Sequence, residues 1–367
     1  MKTIIYNFCL FLVVLPFEIL AHLTPEEFNG RHTEERKISK GYRVSPNALL
    51  EIDNKYGDID VVTWDQNRVE IEVTLRANGN DKEAVQSRLE QMDVAFDHTN
   101  SRVSAETQLQ ATRGSFWSWL TGGSSNVNVE VNYKIKAPVG INVNLENSYG
   151  GINLDHLQGD ATISCDYGQV FIGELMGENN KIELDYSRNS HFGYIKRGTI
   201  DADYSDYTIE EAGILEVSTD YSKTKINKVE HLNFSCDYGS MEVGMVKNIQ
   251  GDGDYLGTTI NAVYASLNLN LDYGSVTVGR MMSDLTQFKI DSDYTTLKIG
   301  YLPENPWRYS LNSTYANIKG LDEGRFNNQK QHQSGSKRFY EGYHLANSGA
   351  MVTINASYGS INFFNAQ

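Results

Sequence analysis

The alternation of apolar and polar positions along this chain is organised around one residue type. Tyr149, Tyr167, Tyr186, Tyr204, Tyr221, Tyr238, Tyr255 and Tyr273 follow one another at spacings of 17 to 19 residues. Tyr294 and Tyr315 follow at 21 and 21, and Tyr358 comes 43 later, two periods with a loop inside. Tyr56 is an isolated early copy. Apolar residues sit three and five places after the tyrosine: Val170 and Ile172, Met241 and Val243, Val276 and Val278, Leu297 and Ile299, Ile361 and Phe363. They also sit two and four places before it: Cys165 and Ile163, Leu184 and Ile182, Leu271 and Leu269, Ala356 and Ile354. Period-two alternation of this kind predicts strands with one buried face. Just after the tyrosine a small residue shifts the phase, Gly168, Gly239, Gly274 and Gly359 or Ser187, Ser205 and Ser222.

Each repeat therefore reads as strand, tight bend, strand and short return. One such unit cannot bury its own apolar edge, whereas parallel stacking of copies can. The predicted fold is all-β: a single-stranded parallel β-helix, or β-solenoid, with coils of 17–21 residues and a short capping helix near the N-terminus. Coils about 4.8 Å apart would make a dozen into a rod of about 60 Å. Two repeats depart from the pattern. After Tyr186, Asn189 and His191 stand where apolar residues are expected, and a slip of one would bury Phe192. Before Tyr255 the strand reads Gly251-Asp252-Gly253 and is weak.

Residues 49–147 read as a wider start to the same stack. Leu50, Ile52 and Asn54 lead to Tyr56-Gly57, then Ile59 and Val61, then Val69, Ile71, Val73 and Leu75. Residues 81–92 predict a helix capped by Asp81, with Ala84, Val85, Leu89 and Met92 on one face, covering a sheet edge. Strands are predicted at 94–96, 103–109, 127–135 and 141–145, and the repeats fill 148–367. Residues 22–48 are an extension, and 321–347 a solvated loop inserted in one coil.

Residues 1–21 read as a secretory signal, with Lys2 as the positive start, Phe8 to Leu15 as the apolar run and Ala21 before cleavage. A membrane anchor is the rival reading, but it needs about 20 apolar residues, and Asn7, Pro16 and Glu18 interrupt the run. No later segment is long or apolar enough to span a bilayer. Lys and Arg number 32 against 47 Asp and Glu, a net charge of −15. Such a chain repels phosphate backbones, which argues against nucleic acid as a partner.

The run Leu50-Glu51-Ile52-Asp53-Asn54-Lys55-Tyr56-Gly57-Asp58-Ile59, then Val62-Thr63-Trp64-Asp65, the short helix, Ser115-Phe116-Trp117-Ser118-Trp119 and the Tyr-Gly repeats carry a resemblance. Over nearly all of the mature chain the sequence resembles the exported bacterial β-strand-repeat proteins labelled putative adhesins, typical of Gram-negative lineages. Gly151-Ile152-Asn153 is similar to the related head-GIN adhesin domains. The resemblance implies a parallel β-solenoid and no catalytic residues.

Candidate chemistry is sparse. Asp166, Asp185, Asp203, Asp220, Asp237, Asp254, Asp272 and Asp293 each precede a motif tyrosine and form a column of carboxylates. Neighbours about 5 Å apart repel by about 1 kcal/mol in water. Either each carboxylate accepts backbone N–H groups at its bend, or the column is a cation strip for Ca²⁺, which takes oxygen ligands of this kind. No other cofactor is expected. Exposed aromatic rows stack on sugars, but here the alternation points the rings of Tyr149, Tyr167, Tyr186, Tyr204, Tyr221, Tyr238, Tyr255, Tyr273, Tyr294, Tyr315 and Tyr358 inward, as a buried structural ladder. Cys165 and Cys236 share one repeat position four coils apart, about 19 Å by stacking, too far for a disulfide. Two free buried thiols are expected.

The Gly/Ser-rich loop 110–126, with Phe116, Trp117, Trp119 and Leu120, is the candidate partner contact, set against simple packing on the stack. Loop 321–347 holds Lys337, Arg338, Phe339 and Tyr340 beside Tyr343 and His344. The eight histidines lack metal spacing, and no nucleophile elbow or phosphate loop occurs. The expectation is a non-enzymatic exported scaffold in the periplasm, outer membrane or cell surface, an adhesin whose partner is an envelope or surface protein or a glycan. The alternatives are an envelope sensor or regulator acting through the aromatic loop and, more distantly, a polysaccharide-active enzyme.

Overall fold

The computed structural model describes residues 29–109, 127–321 and 326–366. The signal at 1–21 and the loop residues Phe116, Trp117, Trp119 and Leu120 lie outside them. In chain order the first elements are β1 (His32–Arg43), β2 (Leu49–Lys55), β3 (Ile59–Trp64), β4 (Arg68–Gly79) and α1 (Lys82–Glu90). Next come β5 (Met92–His98), β6 (Arg102–Leu109), β7 (Val127–Pro138), β8 (Asn142–Ser148) and β9 (Ile152–Leu157). Then follow β10 (Ala161–Asp166), β11 (Val170–Leu175), β12 (Asn180–Asp185), β13 (Ser190–Asp203), β14 (Asp206–Asp220) and β15 (Lys223–Asp237). After them are β16 (Ser240–Asp254), β17 (Gly257–Asp272), β18 (Ser275–Met281), β19 (Gln287–Asp293) and β20 (Thr296–Tyr301). The last are β21 (Trp307–Thr314), β22 (Asn317–Lys319), β23 (Phe326–Ser334), β24 (Lys337–His344), β25 (Ala350–Ser357) and β26 (Ser360–Asn365). The fold is all-β with one short helix among the described residues, and the strands join one mixed sheet.

Through the middle the pairing is parallel and tracks the repeat. In β13 and β14, Ser190 faces Tyr207 and Asp203 faces Asp220, an offset of 17. β14 to β15 and β15 to β16 repeat that offset. Equivalent residues thus lie side by side, and the apolar positions three and five after and two and four before each tyrosine form continuous buried columns. One column runs Ile163, Ile182, Ile200, Val217, Phe234, Gly251, Leu269. Gly251 is weak as sequence because its space is taken: a Cβ there would lie 2.1 Å from Cε1 of Phe234. After Tyr186 the slip occurs as expected. Asn189 takes a left-handed φ of 57°, which inserts one residue and buries Phe192 completely.

The ends are antiparallel. β4 pairs with β1 on one side and β7 on the other, and β5 with β6. β1, at 32–43, lies in the region read as an extension. Its exposed, charge-rich sequence hides it from a search for buried alternation, and it protects an edge instead. Asp81 caps α1 by accepting from Ala84 N at 2.8 Å. Only Val85 on the helix is fully buried, and Met92 already belongs to β5.

The far end corrects two expectations. Within the loop expected at 321–347, residues 326–344 are not a solvated loop: β23 and β24 form a hairpin, and β24 pairs antiparallel with β21. Fully buried His344 packs there among Tyr301, Trp307 and Phe326. Chain order is also not spatial order. β25 lies between β19 and β21, and β26 pairs with both β20 and β22.

Candidate functional site

The candidate site is the line of bends. All twelve repeat tyrosines have positive φ, from 50° to 65°. The left-handed conformation is unfavourable for a residue with a Cβ. Here it turns the strand through a corner, and the phase of the alternation changes at the tyrosine itself. The preceding Asp and the tyrosine both face out, and the small residue after the tyrosine takes the inward seat. The inward ladder is therefore overturned. Eleven of the rings are 45–64% exposed.

The rings nevertheless form one continuous stack. From Tyr56 through Tyr149 and on to Tyr294, then Tyr358 and Tyr315, successive centroids lie 4.8–5.4 Å apart with interplanar angles of 2–11°. Tyr56 is thus the first rung, and Tyr358 sits between Tyr294 and Tyr315. Ring faces cover one another, so the surface receives ring edges and hydroxyls. A sugar stacking on an open ring face is excluded along the strip, because stacking needs the face. Tyr315, with one neighbour and 64% exposure, ends the stack.

Inside the corner is a second ladder that hydrophobic periodicity could not reveal. Ser187, Ser205 and Ser222 are buried. The Ser187 and Ser205 backbone N–H groups donate to the Oγ of Ser205 and Ser222 at 2.9 and 3.0 Å. The three hydroxyls donate in turn to the carbonyls of Cys165, Leu184 and Ala202. The sequence signal was the recurring serine after the tyrosine, read there only as a change of phase. Where glycine holds this place the packing is closer still: a Cβ on Gly168 would lie 2.0 Å from Gly150 O.

The carboxylates lie beside the rings. Asp203, Asp237 and Asp272 each accept, through Oδ1, the backbone N–H of the aspartate in the next repeat, at 3.2, 2.7 and 2.6 Å. The bonds run between repeats rather than within one bend. Asp185 and Asp254 are held above the ordinary carboxyl value by burial first and then by neighbouring aspartates. Burial likewise raises the Tyr204 and Tyr238 phenols, with adjacent tyrosines adding to it. Asp166, Asp220 and Asp293 complete the same edge. Among the described residues no group of three or more His, Cys, Asp or Glu side chains converges on a point that could hold a metal ion.

Cys165 and Cys236 are buried and unpaired. The register Cys165–Leu184–Ala202–Thr219–Cys236 separates them by four repeats. Burial pushes both thiols up to about 11. Among the described residues the histidines join no metal-binding group, and His156 pairs with Glu174 at 2.9 Å at the surface.

No known protein family matches the sequence, and no curated protein does. Among solved structures, a putative adhesin from Parabacteroides merdae aligns at 8% identity, covering 90% of this chain and 96% of its own, with a TM-score of 0.35. A putative cell adhesion protein from Clostridium sporogenes aligns at 9% identity over 90% of this chain and 100% of its own, TM-score 0.19. A putative lipid binding protein from Parabacteroides distasonis aligns at 9% identity over 89% and 96%, TM-score 0.25.

Proposed function

We propose that this chain is an exported, non-enzymatic parallel β-solenoid with 17–21-residue coils, and that it serves as an interaction scaffold of adhesin type at the cell surface or in the periplasm. The contact is the tyrosine strip. The observation that carries this reading is the exposure of eleven stacked rings at 45–64% in one continuous row. Aromatic surface is the usual anchor of protein recognition, and the left-handed backbone of every rung keeps it on the outside. Because ring faces are covered and carboxylates flank one side, the strip suits a partner that offers an extended line of hydrogen-bonding groups without net negative charge. An envelope or surface protein meets that description, and so does a neutral or basic glycan.

The test is binding to a glycan array and to envelope fractions, comparing wild type with Tyr221→Ser/Tyr238→Ser/Tyr255→Ser. Loss of binding with an otherwise folded protein supports the strip as the contact. Undiminished binding removes it. Fractionation with surface proteolysis separates surface from periplasm.

A further inference from the structure

The out-of-order repeat creates a slot whose occupant is connected by a very short hinge. Strand pairing between the unit β21–β24 and the body passes through residues 350–366. β25 pairs in parallel register with β19 from Gln287↔Met351 to Asp293↔Ser357, and with β21 from Trp307↔Ala350 to Thr314↔Ser357. β26 bridges β20 and β22 in the same way. Val352, Ile354, Ile361 and Phe363 from this segment are buried in the core. The Tyr358 ring fills the stack between Tyr294 at 4.8 Å and Tyr315 at 5.0 Å.

The hinge is 345–349. His344 and Ala350 flank the same residue, Trp307, from opposite sides. The chain must therefore cross one strand, a gap of two strand spacings or about 10 Å. It does so with two left-handed residues, Gly349 at φ 80° and Leu345 at φ 61°. Leu345 is 44% exposed, so burial does not offset its backbone cost. β24 runs antiparallel to β21 and β25 parallel to it, so straightening the hinge carries 350–366 away from its own slot. A short hinge under strain, leading to an element whose contacts any identical copy can supply, is the geometry of strand exchange.

We propose that this slot is an interaction site for a second copy of the chain, which seats its own residues 350–366 between β19/β20 and β21/β22. The exchanged form makes every strand pairing of β25 and β26 found in the closed form and relaxes the hinge, giving up only the hinge's own bonds, Ala346 N–H to His344 O, Ser348 N–H to Ala346 O and Arg308 to Gly349 O. The stack of tyrosines stays unbroken in each partner, with a borrowed Tyr358 as the rung.

The test uses a reporter pair and a hinge deletion in the full chain. Asn312 and Asn355 face each other in the register, Nδ2 to Oδ1 at 2.9 Å, and adjacent strands suit a disulfide. Asn312→Cys/Asn355→Cys reports whether the slot is filled from the same copy or another. Deleting 345–348 leaves one residue, which reaches only about 7 Å against the gap of about 10 Å, so self-filling is barred. Under oxidation the deletion variant is expected to run as covalent dimers or longer chains on a non-reducing gel. The native-hinge protein, refolded from denaturant, is expected to give a dimer fraction that rises with protein concentration. Inserting four Gly/Ser residues in the hinge is expected to return it to intramolecular monomer. A deletion variant that stays monomeric, or a native-hinge protein that yields only intramolecular disulfide at every concentration, would overturn the proposal.

Discussion

The tyrosine stack makes its clearest prediction at Tyr221, which has a ring on each side, Tyr204 at 5.0 Å and 3° and Tyr238 at 4.9 Å and 4°. The residue is 51% exposed. A fully buried tyrosine removes about 150–250 Å² from water, so half burial is about 100 Å², worth about 2 kcal/mol once the retained Cβ is discounted. Two ring pairs add about 0.5–1.5 kcal/mol each. Tyr221→Ala is therefore expected to lower unfolding free energy by about 3–5 kcal/mol. Tyr315 has one ring neighbour and 64% exposure, so Tyr315→Ala should cost about half as much. The backbone supplies a second diagnostic. With φ at 53°, Tyr221→Gly loses the same stacks but relieves a conformation unfavourable by about 1 kcal/mol for any residue with a Cβ. It should be less destabilising than Tyr221→Ala, the reverse of the order in an ordinary strand. Urea unfolding followed by far-UV circular dichroism measures all three. Equal losses at Tyr221 and Tyr315, or a glycine variant weaker than the alanine variant, would refute the reasoning.

Burial and neighbouring carboxylates hold Asp185, Asp201 and Asp254 above the ordinary carboxyl value. The folded chain therefore binds these protons more tightly than the unfolded one, and the melting temperature should rise as pH falls from neutrality toward the ordinary carboxyl range of about 4. A fall over that range would contradict the geometry of the acid column. At lower pH the trend should reverse. There Asp160, lowered by hydrogen bonding from Asn179, and Asp291, lowered despite its burial by hydrogen bonds from Asn355 and Lys289, become protonated. Cys165 and Cys236 should not react with a thiol reagent in the native protein at about pH 8, and both should react in denaturant; rapid native labelling of either would place it outside the core. Gly251→Val should cost about 1–3 kcal/mol by overpacking against Phe234, and Phe234→Ala should recover part of it in the double variant. Additive losses would show that the two do not share one space.

The repeat, its period and its buried columns were legible because apolar side chains at fixed offsets have only one arrangement that buries them all. The slip after Tyr186 was legible for the same reason: Phe192 had to go inside. The side on which the tyrosines lie was not. Alternation assigns a residue to a face only while the backbone stays extended, and a left-handed residue breaks that rule at the corner. The sequence carries no mark of which residue is left-handed when it is a tyrosine rather than a glycine. The β23–β24 hairpin was hidden because its exposed edge strand has no apolar face to betray it.

The sequence by itself determined that this chain is a stack of strand–bend–strand units, with Cys165 and Cys236 too far apart to pair. Local alternation and a constant period suffice for that. Only the tertiary structure decided that the rings form an outer strip, that serines line the corner within, and that residues 350–366 lie between two earlier repeats. Those outcomes depend on backbone handedness at single residues and on which of several equivalent strands pair. Neither is encoded in the pattern of hydrophobic positions that all the repeats share.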